Sequence, residues 1–94
     1  MIDSIHIKAN GDIEYVSPKD NKKFTLKELQ DFVGGYIEIV AVKDSALTQG
    51  NIMIVNEEGK LKDLDLNQIA TAIYGNSNDF IVGDVLITKR KYIK

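Results

Sequence analysis

The stretch that decides the fold is Ile52–Gly75, IMIVNEEGKLKDLDLNQIATAIYG. Its period changes once. Ile52–Val55 is a short, wholly apolar run of the kind a buried strand carries. Asn56–Gly59 (NEEG) is turn chemistry: an asparagine side chain bonds its own backbone two residues on, and glycine supplies a positive φ. Lys60-Leu61 is read as the start of a short return strand. Leu66, Ile69, Ala70 and Ile73 then recur at i, i+3, i+4 and i+7, the apolar face of a helix. Asp65 with Gln68 three residues on reads as its capping box, and Gly75 closes it. Strand and helix alternate here over a short length of chain, which points to a fold that mixes them locally.

Working outward, Tyr36–Val42 (YIEIVAV) is rich in β-branched residues and apolar at both parities, which predicts a central strand buried on two faces. Residues 43–51 read as a loop with room for one turn of helix. Before it, Thr25 and Glu28 in TLKE form a capping box, Leu26, Leu29, Phe32 and Val33 give an apolar stripe, and Gly34-Gly35 end the helix. Ser4–Ala9 alternates as a half-buried strand, with His6 on the polar side of an edge. Asn10-Gly11 is a hairpin signal, and Ile13–Ser17 returns until Pro18 stops it. Phe80–Thr88 gives one or two strands around Gly83-Asp84, a bulge or a tight turn. The expectation is an α+β fold: a single small domain over residues 1–94, with a mostly antiparallel mixed sheet of four to six strands and two helices packed on one of its faces. Within it, 1–18 form an N-terminal hairpin, 25–88 the core and 89–94 a basic tail.

Composition removes several function classes. The 94-residue chain is 44% hydrophobic and 28% charged, ordinary globular values, with a formal net charge of −2. Nucleic-acid binding by phosphate neutralisation calls for a basic face and a high pI, whereas this pI is about 5.3. The chain has no cysteine and one histidine, so thiolate nucleophiles, zinc–thiolate sites and two-histidine metal sites are excluded. The absence of disulfide staples in a domain this small points to the cytoplasm. No apolar run is long enough to span a bilayer, and the N-terminus has no signal-peptide pattern.

The adjacent carboxylates of Glu57 and Glu58 are the nearest thing to an acid–base site. Neighbouring residues on an extended chain point apart, and NEEGKLKDLDLN places lysine and leucine where a calcium loop needs oxygen ligands. No catalytic residue, cofactor or metal is therefore expected. The second helix offers a polar stripe instead. Asn67, Thr71 and Tyr74 lie at i, i+4 and i+7, an amide, a hydroxyl and a phenol able to hold a nucleotide-like small molecule or a protein edge. Asn56 and Glu57 of the turn complete the candidate ligand-binding set. The tail TKRKYIK reads as a solvated terminus, with four cations and one aromatic available for a weak phosphate contact.

The run VNEEGKLKDLDLNQIATAIYG followed by DFIVGDVLI resembles domain of unknown function family 3846, small proteins of phages and mobile elements. Asn56, Glu57, Gly59, Leu64, Asn67, Ala70, Thr71, Asp79, Val82 and Gly83 carry the resemblance, which covers roughly residues 36–88. Leu66 departs from it, since many members carry proline before the helix asparagine. The resemblance implies an accessory protein acting in the host cytoplasm. In that setting the polar stripe Asn67, Thr71 and Tyr74, the nearby NEEG turn and the lack of catalytic groups lead to the expectation of a homo-oligomeric sponge that captures a nucleotide-type immune signal, or alternatively a protein–protein inhibitor of a host enzyme that docks through Tyr92-Ile93 or a bare edge strand.

Overall fold

The computed structural model describes residues 4–42 and 51–94. The expected loop over 43–51 lies, apart from Asn51, outside them. Among the described residues five strands form one sheet: β1 (Ser4–Ile7), β2 (Ile13–Val16), β3 (Ile37–Ala41), β4 (Asn51–Asn56) and β5 (Val85–Lys89). Their order is β2-β1-β5-β4-β3, and every neighbouring pair is antiparallel. Two α-helices among the described residues, α1 (Leu26–Val33) and α2 (Gln68–Tyr74), pack on this sheet. The α+β expectation holds.

Register assigns each side chain to a face. His6, Leu86, Ile54 and Ile39 form one row across β1, β5, β4 and β3, while Ile5, Ile87, Met53 and Val40 form the next. The first row faces α1, where Ile52, Ile54 and Leu86 bury against Phe24, Leu29 and Val33. The second faces α2, where Met53, Val55, Val85 and Ile87 bury against Ala70, flanked by Ile69 and Ile73. The helices thus cover opposite faces, not one face as the sequence reading had it. The cause is visible in β4 and β5, which are apolar at both parities, so each face of the sheet needs its own cover.

Strand placement brings two further corrections. The strand buried on both sides in the middle of the sheet is β5, and β3 lies at an edge. Ile37 packs into the α1-side core and Val40 into the α2-side core. Both parities of β3 are therefore apolar although Glu38, Ile39 and Ala41 are exposed. Conversely β1 is internal, so His6 is buried rather than displayed at an edge. Its Nε2 donates to the Phe32 carbonyl at 2.9 Å, and its ring packs 4.9 Å from that of Phe32.

The local signals behaved unevenly. At the hairpin, Gly11 takes φ 99° and its N–H bonds the Lys8 carbonyl. The α1 capping box is formed, with Thr25 Oγ1 accepting from the Glu28 N–H and Glu28 accepting from the Thr25 N–H. Gly34 closes α1 at φ 79°. The return strand at Lys60-Leu61 is absent: residues 57–63 coil through turns, with Lys62 N–H on the Glu58 carbonyl and Leu64 N–H on the Gly59 carbonyl. Asp65 does not cap α2. Its carbonyl accepts from Gly83 N–H at 2.7 Å beside a Leu66–Val82 bridge, and the cap is Asn67. Gly83, at φ 77°, is a kink between that bridge and β5, so Phe80–Thr88 holds the isolated bridge and one strand. The basic tail keeps its four cations exposed, but its backbone and its two apolar side chains are docked. Phe24 N–H bonds the Tyr92 carbonyl, Lys94 N–H bonds the Phe24 carbonyl, and Tyr92 and Ile93 pack on the α1-side core. That burial also withdraws Tyr92-Ile93 as an exposed docking patch.

Candidate functional site

Beside α2, between β3, the 56–61 turn and the 79–82 segment, the surface opens into a cleft of about 190 Å³. Its apolar lining comes from Val40, Val55 and Ile81, which the α2-side core positions. Two aromatic residues line it, Tyr74 from the last turn of α2, which also packs on the α2-side core, and Phe80, which is 47% exposed. Glu38 of β3 and Glu57 of the turn bring carboxylates to it. Lys60 supplies the one cation among the lining residues. It is ion-paired with Asp79, and its ammonium lies 4.5 Å from the centre of the Phe80 ring. The Lys60 hydrogen bond, helped by the Phe80 backbone N–H, holds the Asp79 carboxyl below its ordinary range. Lysine, aspartate and phenylalanine thus fix one another at one side of the cleft. Glu38 and Glu57 leave the rest of it acidic.

The five residues read from the sequence separate into two groups. Asn56, Glu57 and Tyr74 line this cleft. Asn67 and Thr71 do not. Asn67 is 1% exposed, and its amide is engaged throughout: Oδ1 accepts from Ala70 N–H at 3.0 Å, and Nδ2 donates to the carbonyls of Ile7 at 3.0 Å and Gly83 at 2.9 Å. It ties α2 to β1 and to the kink before β5. Thr71 Oγ1 accepts from Ile81 N–H at 2.9 Å and donates to the Ile81 carbonyl at 3.3 Å. Of the stripe read on α2, Asn67 and Thr71 turn their polar groups to the backbone, and only Tyr74 reaches the cleft. Asn56, though it borders the cleft, spends its amide similarly. Oδ1 takes Glu58 N–H at 2.8 Å, and Nδ2 reaches the Val33 carbonyl at the end of α1. Glu57 and Tyr74 are the two of the set whose side chains are exposed or half-buried at the cleft.

Sequence reasoning missed Glu38, Lys60, Asp79 and Phe80 as site residues. A signal existed for the first. Glu38 is the one charge in YIEIVAV, and two-residue alternation puts it on the same face as Val40. Lys60 and Asp79 are 19 residues apart, and only the tertiary fold joins them.

The turn glycines explain the rest of the motif. A Cβ on Gly59 would sit 2.9 Å from Val82 Cγ2 and 3.3 Å from the Asn56 carbonyl, and one on Gly83 would sit 2.8 Å from Leu64 Cδ1. Gly59 is not among the positive-φ glycines, so close packing rather than turn conformation requires it. Gly59, Leu64, Val82, Gly83, Asn67, Ala70 and Thr71 therefore form one knot where α2, the turn and the β5 kink meet. A family model described as Domain of unknown function (DUF3846) matches residues 4–92. The chain belongs to that family. The DUF3846 match takes in the N-terminal hairpin as well as the 36–88 segment that carries the resemblance. No curated protein and no solved structure matches the chain significantly. In this DUF3846 chain the residues of the resemblance serve mainly to close the fold, and the cleft is built alongside them.

Proposed function

We propose that the protein acts by binding rather than catalysis, as an accessory factor of a phage or mobile element working in the host cytoplasm. Its ligand is a small molecule with a flat, amino-bearing ring, the base of a nucleotide-type immune signal, and holding it makes the protein an anti-defence sponge. The observation that supports this reading is the cleft's composition: an apolar lining, two aromatic rings and the carboxylates of Glu38 and Glu57. Aromatic faces stack on a base, and carboxylates accept from exocyclic amino groups. The same carboxylates repel phosphate, so the base enters and the phosphates stay outside. At about 190 Å³ the cleft is smaller than typical ligand sites, which run from roughly 300 to 1,000 Å³. One ring system fits.

Thermal unfolding with a panel of cyclic and linear adenine and guanine nucleotides tests this. A ligand at one hundred times its dissociation constant adds about 2.7 kcal/mol, and Phe80→Ala and Glu57→Gln should each reduce that gain. A panel that leaves unfolding unmoved sinks the nucleotide reading. A second reading, inhibition of a host enzyme by strand addition, draws on the exposed β3 edge. It calls for a stoichiometric host partner that is lost on Ile39→Lys.

A further inference from the structure

The sheet ends on β3, and no described strand pairs with its outer side. Its backbone orientation follows from one bond. Glu57 N–H donates to the Tyr36 carbonyl, in register with the Ile37–Asn56 pairing. In an antiparallel ladder hydrogen-bonded and non-bonded pairs alternate. Residues 36, 38 and 40 therefore bond to β4, and Ile37, Ile39 and Ala41 direct their N–H and C=O groups outward.

Edge strands are normally protected by lysine, proline, a bulge or shortness. The opposite edge, β2, has four residues and is bounded by Gly11 and Pro18. β3 has five, pairs with β4 without a bulge, contains no lysine, proline or glycine, and exposes Ile39 at 39%.

We infer that β3 pairs antiparallel with β3 of a second copy of this chain, about a two-fold axis through Ile39. Charge selects the register. A two-fold on Glu38 sets two carboxylates directly opposite, which is repulsive. A two-fold on Ile39 sets Ile39 against Ile39, Ile37 against Ala41, and Glu38 against Val40. It uses all three outward residues and adds about six backbone hydrogen bonds. The axis is perpendicular to the sheet, so two five-stranded sheets become one and both α2 faces lie on the same side.

The partner then contributes to the cleft. Glu38 and Val40 line it, and the partner's strand lies about 4.8 Å away. Its own Glu38 and Val40 extend the wall that a single chain leaves short. This last step rests on the ligand-binding reading; the pairing itself does not.

The protein has no cysteine, so cross-linking gives a clean test with no ligand present. Residues in a hydrogen-bonded antiparallel pair have Cα atoms about 5.5 Å apart, within disulfide range. Ile39→Cys should convert to a covalent dimer under mild oxidant at least tenfold faster than Tyr15→Cys on the β2 edge. Sedimentation of the wild-type protein should give twice the 10.5 kDa chain mass. Ile39→Lys, which faces two ammonium groups across the axis, should be a folded monomer by circular dichroism. A monomeric wild type, or cross-linking at Tyr15→Cys as fast as at Ile39→Cys, overturns the proposal. Either outcome can be scored whether or not any nucleotide binds.

Discussion

Replacing Asn67 by aspartate separates two jobs that its side chain performs at once. As a helix N-cap, aspartate is as good as asparagine, so a residue that only capped α2 would tolerate the exchange. Asn67 also donates from Nδ2 to the Ile7 and Gly83 carbonyls, at 3.0 and 2.9 Å, from a position 1% exposed. An aspartate there keeps the acceptor for Ala70 N–H but turns a buried carboxylate onto two carbonyl oxygens. The scale comes from three variants. Asn67→Ala loses three buried hydrogen bonds at about 1 kcal/mol each, near 3 kcal/mol in sum. Asn67→Ser keeps a cap and loses two donors, about 2 kcal/mol. Asn67→Asp should cost more than alanine, because an unpaired buried charge is added to the lost bonds. A domain of this length has a total stability of roughly 5–14 kcal/mol. Urea unfolding followed by circular dichroism resolves the order, since with a slope near 1.5 kcal/mol/M the alanine midpoint falls by about 2 M. An aspartate variant as stable as wild type would refute the stapling argument and leave only the cap.

The glycines separate conformation from packing. Gly34→Ala meets nothing within 4 Å and carries only the left-handed penalty of about 1–2 kcal/mol, whereas Gly83→Ala adds a clash with Leu64 at 2.8 Å and should cost more by denaturation. Acid should act through Glu28, whose carboxyl is held below its ordinary value of 4.5, first by the Thr25 N–H and then by the Lys19 N–H. A depressed carboxyl stabilises the fold above its unfolded value and loses that contribution as pH falls through the folded one. Glu28→Gln should therefore be destabilising at pH 7 by about 0.5 kcal/mol, given its solvent exposure. The gap to wild type should close below pH 4.5. A gap constant with pH would contradict the assignment.

Much of this fold was legible from short-range chemistry. TLKE, Asn10-Gly11 and Gly34 act over four residues or fewer, and each forms as read. What failed was decided at long range. The cap of α2 moved from Asp65 to Asn67 because Gly83, 18 residues on, claims the Asp65 carbonyl. β3 reads as central because its parity is apolar on both sides, yet edge strands that touch two cores look the same in sequence. The tail 89–94 reads as solvated because its charges dominate, but the backbone of Phe24 and the side chains of Tyr92 and Ile93 fix it. Of the ligand set, the helix spacing was visible and the direction of each polar atom was not. Lys60–Asp79 could not be read at all, since nothing local links residues 19 apart.

The sheet order carries a consequence for how the chain can assemble. β1 pairs with β2 and β3 with β4, but within the sheet the two pairs are hydrogen-bonded together only through β5. N-to-C synthesis delivers that keystone last among the described strands. Without residues 85–89 no single sheet can join the two pairs, and each would be left with an unpaired inner edge. Closing the five-stranded sheet therefore requires β5, which joins both halves at once. Any fragment ending before Val85 should behave as an unfolded, aggregation-prone chain rather than as a smaller version of the domain.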